Sequence, residues 1–258
     1  MRRVTWPGSS PAALTHWTGA DGAAPAQWQV AEEVPVGILV NSRSVAVMMA
    51  TPSDLEELAV GFLLAEGQAR PADLRGVLVL PTDGGFCVDV ALADGAAESI
   101  RPRMLEGRSG CGLCGMSEIT DVQRDLPHAD RTPLDPGAVA AAFAGLRDHQ
   151  PLRDINRSVH VAGFADAAGQ VLFAREDVGR HCALDKLIGA LAIRRIAPGE
   201  GFAVMSSRCS FELVQKAAQA GLGGLATLSA PTALALRVAA ATGLPLAARA
   251  AGGVALFG

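Results

Sequence analysis

The sequence has no tyrosine and only two lysines, so almost all of its 22 basic residues are arginines. Acidic residues outnumber basic ones, and the formal net charge of −4 gives the chain no general attraction for nucleic acid. No uninterrupted apolar run reaches the roughly 20 residues that a membrane-spanning helix needs. We therefore expect neither a nucleic-acid partner nor a membrane segment, and any site for an anion has to be local.

The N-terminus lacks the long apolar segment of a secretory signal. The five cysteines form an odd set, and no signal peptide accompanies them. Disulfides are rare in the reducing cytoplasm, where free thiols remain available for chemistry. The sequence thus predicts a cytoplasmic protein whose cysteines act as thiols rather than as cross-links.

The chain is long enough for one large domain or two unequal ones. Residues 1–28 predict a flexible N-terminal tail. Residues 29–116 predict a small α+β module that ends in a Cys-x-x-C loop. Residues 117–258 predict a larger α/β domain.

Local signals support this division. Residues 34–50 predict two strands around a polar turn, and residues 51–67 predict a helix. Ser53 is the expected N-cap of that helix, with Glu56 at capping-box spacing. Asp135 is the expected cap of a later helix, with Pro136 in its first turn. From His160 onward strand patterns alternate with helical ones, which predicts a mostly parallel sheet covered by helices.

Three strand-to-helix turns in the second half are polar, in the segments AREDVGRHCALDK, VMSSRCSFE and TLSAPTA. If their strands are parallel, the turns share the carboxyl edge of the sheet, where such folds bind ligands. Helix N-termini and the side chains of Arg180 and Arg208 suit phosphate oxygens. Asp177 and Asp185 could accept hydrogen bonds from a purine or ribose edge. The alternative is that the hydroxyls and acids are ordinary caps and that Arg–Asp pairs tie the turns together.

His181 opens a predicted helix between Arg180 and Cys182, where a positive helix end favours a neutral, hydrogen-bonding imidazole. A lone histidine is more often structural than catalytic. Cys182 and Cys209 fit the usual behaviour of free cysteine as a filler of small apolar sites.

The segment GRSGCGLCG places Cys111 and Cys114 two residues apart among glycines and just after three arginines. A structural zinc site needs four ligands, and no second Cys-x-x-C exists, so zinc is disfavoured. The His-x-Glu of zinc deaminases is also missing. A redox dithiol and a persulfide relay both remain open, because a Cys-x-x-C thiol can have a lowered pKa.

The segments SGCGLCG, REDVGRHCALDKLIGA, SSRCSFELVQKAA and SAPTALA, in this order and spacing, resemble the formate dehydrogenase accessory sulfurtransferases, the FdhD family. The helix TPSDLEELAVGFLLAEG resembles the same family. The resemblance covers nearly everything from about residue 30 to the end.

The resemblance implies a cytoplasmic homodimer that carries sulfur. A cysteine desulfurase would supply the sulfur to Cys111 as a persulfide, with Cys114 as the partner thiol. The protein would pass the sulfur to the molybdenum or tungsten of a bis-pterin guanine dinucleotide, for insertion into formate dehydrogenase. The implied fold is a cytidine-deaminase-like mixed sheet with flanking helices, without a permanently bound metal.

Three segments depart from the family pattern. Cys182 replaces the usual Asn, and residues 156–158 replace a flexible Thr-Gly-Gly turn. In the C-terminal segment AARAAGGVALF only Arg249, Gly252 and Gly253 keep a likeness to the family's nucleotide-contacting turn. The predicted cofactor-binding residues are Asp177, Arg180, His181, Asp185, Lys186, Ser206, Ser207, Arg208, Ser229, Thr232, Arg249, Gly252 and Gly253.

Overall fold

The computed structural model describes residues 8–17, 22–100, 126–129 and 131–257. The described helices are α1 Leu55–Ala65, α2 Pro136–Gly145, α3 Pro151–Asn156, α4 Arg180–Arg194, α5 Phe211–Gln219 and α6 Ala233–Thr242. The described strands are β1 Ser9–Trp17, β2 Ala23–Ala31, β3 Val34–Val40, β4 Arg43–Ala50, β5 Leu74–Thr82, β6 Gly85–Leu92, β7 His160–Asp166, β8 Val171–Asp177, β9 Gly201–Met205, β10 Leu225–Thr227, β11 Leu246–Ala250 and β12 Gly253–Phe257. Short 3₁₀ turns add Leu146–His149 after α2, among others.

The larger sheet has six strands in the order β12-β11-β10-β9-β7-β8. Strands β9, β10 and β11 are parallel, whereas β7 runs antiparallel to both β8 and β9. The expectation of a mostly parallel sheet is therefore wrong in detail, and the sheet is mixed. Short turns join β7 to β8 and β11 to β12, and such turns connect only antiparallel neighbours. Because β8 has the same direction as β9, β10 and β11, all four strands end at one edge, here called the carboxyl edge.

Both faces of this sheet are covered by helices. Successive residues of β9 alternate between the two cores: Ala203 and Met205 join α4, α5 and α6 on one side. Phe202 and Val204 join α2 on the other side. The alternation follows from the two-residue side-chain period of a strand, and it gives a three-layer α/β/α arrangement.

The second sheet has four strands in the order β4-β3-β6-β5, and α1 packs on one of its faces. Helix α1 also packs closely against α4. A Cβ atom at Gly61 would lie 1.7 Å from the backbone oxygen of Asp185, and one at Gly189 would lie 1.9 Å from that of Glu57. Only glycine permits this approach, so the helix crossing joins the small module firmly to the larger sheet.

The prediction of a flexible tail over residues 1–28 does not fit the described part of that range, residues 8–17 and 22–28, which is mostly strand. Strands β1 and β2 pair antiparallel from Ser9–Ala31 to Trp17–Ala23 and pack against α3. The Glu32 amide donates to the Gly8 oxygen at 3.1 Å and closes the base of the hairpin. Backbone pairing and the contact with α3 stabilise this hairpin. Neither kind of contact requires a regular pattern of side chains, so the two strands have no clear signal in the sequence.

Helix ends test the capping predictions. Helix α2 begins as expected, because the Asp135 carboxylate accepts from the Ala138 amide at 2.8 Å. The expected cap at Ser53 is wrong: Asp54, with a left-handed φ of 52°, occupies the N-cap of α1 and its side chain makes no cap bond. The proposed boundary between residues 116 and 117 lies outside the described residues. Within the described part of the chain, no helix combines the length and hydropathy needed to cross a bilayer.

Candidate functional site

All three polar turns lie at the carboxyl edge of the larger sheet. The turns precede α4, α5 and α6, and each follows a strand that ends at this edge. The β11–β12 turn and the beginning of β7 lie at the same edge. The predicted residues that the fold brings there are Arg180, His181, Ser206, Ser207, Arg208, Ser229, Thr232, Arg249, Gly252 and Gly253.

The hydroxyl groups at this edge are partly used within the protein. Thr232 Oγ1 accepts from the Ala235 amide at 3.2 Å and caps α6. Ser206 Oγ accepts from the Val161 amide at 3.0 Å. The buried Ser207 donates to the Arg208 oxygen at 3.0 Å. Ser229 and Arg208 are exposed, so they offer more to a ligand than the two bonded serines do.

Asp177 and Lys186 lie behind the edge rather than on it. Both side chains are fully buried, and Lys186 Nζ lies 2.7 Å from Asp177 Oδ2. The carboxylate also accepts from the amides of Thr51 at 3.0 Å and Gly179 at 2.8 Å. Burial raises the pKa of Asp177, and Lys186 opposes that shift. Their polar atoms are occupied internally, so these two residues hold the turn before α4 and do not present groups to a ligand.

Asp185 belongs to a second buried ion pair. Lys216 Nζ lies 2.7 and 3.0 Å from its two carboxylate oxygens and 3.0 Å from Glu66 Oε1. Burial raises the pKa of Asp185 to about 6, while Lys216 lowers it. The two acids raise the pKa of Lys216 against the effect of burial. The prediction that Asp185 contacts a cofactor does not fit this position, because the carboxylate is fully buried.

Two histidines lie between the buried ion pairs and the carboxyl edge. Burial lowers the pKa of His181 to about 3, assisted by Lys216 and Arg180. Its Nε2 is buried and has no hydrogen-bond partner in the part of the chain that the structure describes. His160, whose pKa is lowered by burial and then by Arg180 and Arg153, lies with Nδ1 3.4 Å from Ser206 Oγ. The lowered pKa of His181 agrees with the predicted neutral imidazole, whereas the predicted hydrogen bond is not made by Nε2 to any described residue.

An open cavity of about 560 Å³ lies at this edge on the α2 side of the sheet. Its lining contains three of the predicted residues: Arg249, Gly252 and Gly253. It also contains Arg147, Gln150 and Arg153, which the sequence reasoning missed. The regular spacing of these three residues after α2 is a signal that could have been noticed. Among the described residues no acidic side chain lines the cavity, although acidic residues outnumber basic ones in the chain.

The loop cysteines Cys111 and Cys114 lie outside the described residues. Cys182 and Cys209 are 5% and 1% exposed and fill apolar sites as predicted. Cys182 Sγ donates to the Met49 oxygen at 3.5 Å, and burial raises its pKa well above the usual thiol value. Burial raises the pKa of Cys209 to about 12. Within the described ranges, no cluster of three His, Cys, Asp or Glu side chains could hold a metal ion.

The fold and this edge define a class: α/β proteins that gather helix N-termini and arginines at the carboxyl ends of their strands. The FdhD/NarQ family model matches residues 31–255, and the chain belongs to that family. A sulfur carrier protein FdhD of Bordetella petrii is 48% identical over 232 residues, covering 88% of this chain and 84% of that protein. One of Xanthomonas axonopodis pv. citri is 46% identical over 248 residues, covering 95% of this chain and 88% of that protein.

A solved structure shares the fold. The crystal structure of a putative formate dehydrogenase accessory protein from Desulfotalea psychrophila matches with a TM-score of 0.74. The match covers 97% of each chain at 24% sequence identity. The mixed sheets and flanking helices described above are therefore found in a related solved structure.

Proposed function

We propose that this protein is a cytoplasmic sulfur carrier for the maturation of formate dehydrogenase. A cysteine desulfurase loads Cys111 with a persulfide. The protein then delivers the sulfur to the molybdenum or tungsten of a bis-pterin guanine dinucleotide, which is its bound substrate. Relatives that cover most of the chain are named sulfur carrier protein FdhD, which supports the carrier role.

Loading of Cys111 is an exchange between sulfur atoms. The Cys111 thiolate attacks the outer sulfur of the donor's persulfide, a new S–S bond forms, and the donor's thiolate leaves. Electrons balance without an external oxidant or reductant, because one persulfide replaces another. Arginines 101, 103 and 108 favour the thiolate through their charge. Cys114 provides the second thiol, which stabilises the sulfur or passes it on.

The observation that carries the proposal is the convergence of helix N-termini and arginines at the carboxyl edge. A bis-pterin guanine dinucleotide has two pyrophosphate groups, and oriented amides with guanidinium groups suit such anions. Arg180, Arg208 and Arg249 come from three different segments that meet there. A deaminase-like core and a homodimer complete the proposed architecture.

Mass spectrometry of the loop peptide tests the proposal after the protein is incubated with a cysteine desulfurase and cysteine. A gain of about 32 Da on Cys111 is expected for the persulfide. A loss of about 2 Da instead marks a Cys111–Cys114 disulfide and a redox role. An unchanged peptide, with nucleotide still bound, marks a cofactor chaperone whose cysteines are structural. Either of the last two results contradicts sulfur transfer.

A further inference from the structure

The segment that joins α2 to α3, together with the first turn of α3, forms one wall of the cavity at the carboxyl edge. Arg147, Gln150 and Arg153 follow one another at intervals of three residues and all line the cavity. Arg249, from the end of β11, lines the same cavity. None of the motifs that identify the family includes this wall.

Gln150 is the unusual member of the wall. It is 6% exposed, and its amide nitrogen Nε2 has no hydrogen-bond partner among the described residues. A buried amide without a partner costs free energy, and native proteins keep few of them. A ligand that accepts a hydrogen bond inside the cavity would remove this cost.

The backbone of the wall is fixed before any ligand binds. Buried Glu176, near the end of β8, accepts from the amides of Leu152 at 2.7 Å and Arg153 at 2.9 Å. The backbone oxygen of Gln150 accepts from the backbone amide of Asp154 at 3.1 Å. Because the segment is tied to the sheet, Gln150 is held in place, and preorganisation of this kind lowers the entropic cost of binding.

The arginines of the cavity are not taken up by ion pairs within the described residues, although the charge of Arg153 acts on Glu176 and His160. In the described part of the chain, Arg147, Arg153 and Arg249 form no ion pair. Arg175, in contrast, pairs with Glu57 in the interior of the fold. Three guanidinium groups outside the ion pairs of the described residues suit a phosphate ester, whereas the neutral amide of Gln150 suits a neutral polar group beside it.

We propose that Gln150 is a specificity-determining residue of this cavity, whose amide donates to the base of a phosphate-bearing nucleotide held by Arg147, Arg153 and Arg249. The choice of guanine as the base rests on the proposed function. Guanine presents acceptors at O6 and N7, which an amide N–H group can reach. Phosphate binding belongs to the arginines, and base recognition belongs to the glutamine.

Two probes separate these roles: GDP, which has a base, and inorganic pyrophosphate, which has none. Calorimetric titration of the full chain is expected to show that Gln150→Leu weakens GDP binding on the order of tenfold. Pyrophosphate binding should stay within about twofold of the original protein. Arg147→Ala and Arg153→Ala should weaken both probes by at least about fivefold. Arg237→Ala, at an exposed position on α6 across the sheet, is the matched control and should change neither.

Equal GDP affinity in folded Gln150→Leu and the original protein overturns the inference, as does equal weakening of both probes. If that variant does not fold, Gln150→Glu replaces the donor by a carboxylate at the same length, and unchanged GDP binding by it is likewise contradictory. Failure of the original protein to bind GDP also overturns the inference. It leaves persulfide loading of Cys111 untouched, so failure of this inference and failure of the proposed function are distinguishable.

Discussion

Two sets of charged residues meet at the carboxyl edge, and they differ in how their charges are satisfied. Behind the edge, Asp177 pairs with Lys186 and Asp185 pairs with Lys216, and all four side chains are buried. On the edge, the cavity arginines line an open space to which no described residue contributes a carboxylate. The first set is a framework, and the second set is available to a ligand.

One motif contains both buried framework residues and a residue on the edge, which is why sequence reasoning did not separate the two kinds. In REDVGRHCALDKLIGA, Arg180 is half-buried at the edge, whereas Asp177 and Lys186 are inside. The framework reaches across to β4, since Thr51 Oγ1 accepts from the Val178 amide at 3.1 Å. A motif that identifies a family therefore mixes residues that position the site with residues that form its surface.

Breaking the buried ion pair of Asp177 and Lys186 should have the largest effect on the free energy of unfolding. Lys186→Met leaves the Asp177 carboxylate buried without its cation, which typically costs about 3–5 kcal/mol of unfolding free energy. Urea unfolding measures this loss. The double variant Asp177→Leu/Lys186→Met is the control and should lose less, because no charge remains buried alone. A loss below about 1 kcal/mol in the single variant would show that the pair is not a framework element.

Crowding the contact between α1 and α4 should have the second largest effect on the free energy of unfolding. Gly61→Ala places a methyl group against the Asp185 backbone, and we expect a loss of about 1–3 kcal/mol. Gly76→Ala is the matched control, because a Cβ atom there meets nothing within 4 Å. The ratio of the two losses in urea unfolding reports whether the α1–α4 contact supports the edge. Equal losses would argue against that role.

The pH dependence of stability tests the boundary between the two sets. The pKa of His181 is depressed from 6.5 to about 3. Between these two pH values the unfolded chain therefore binds a proton at His181 that the folded chain does not bind. Stability present above pH 6.5 is therefore lost as the pH falls toward 3, at up to about 1.4 kcal/mol per pH unit. Between pH 6.5 and 5, His181→Gln should lose about 1–2 kcal/mol less than the original protein. Parallel curves for the two proteins would contradict a neutral buried His181.

Removing an edge arginine should have the smallest effect on stability. Arg208 is exposed, so Arg208→Ala should change the unfolding free energy by less than about 0.5 kcal/mol. Arg180 is half-buried, so Arg180→Ala is compared with Arg208→Ala in ligand binding and not in stability. Both variants should nevertheless weaken GDP binding about five- to tenfold in calorimetric titration. Undiminished GDP affinity in both variants would remove these arginines from the site.

The sequence predicted those features that depend on local chemistry. Strand-to-helix turns rich in Ser, Arg and Gly were located correctly, and so was the Asp135 cap of α2. The burial of Asp177 and Lys186 was not predictable, because it depends on a backbone contact with Thr51, more than 120 residues away in the chain. The hairpin of β1 and β2 was missed for a similar reason, since α3 supports it from outside.

Gln150 shows a second limit of sequence reasoning. Its position before Pro151 indicates only the beginning of a helix. Gln150 is buried and lines the cavity, and its Nε2 has no partner among the described residues; these properties follow from the packing of several segments. Unsatisfied polar groups are visible only in three dimensions.

The most direct test of the sulfur-carrier account is formate dehydrogenase activity in cells whose only copy of this protein carries Cys111→Ala. Cys182→Asn is the matched control, because the thiol of Cys182 is buried and bonded to the Met49 oxygen. We predict that the Cys111 variant folds normally but yields inactive formate dehydrogenase, whereas the Cys182 variant supports full maturation. Formate dehydrogenase activity near the original level with Cys111→Ala would contradict the account.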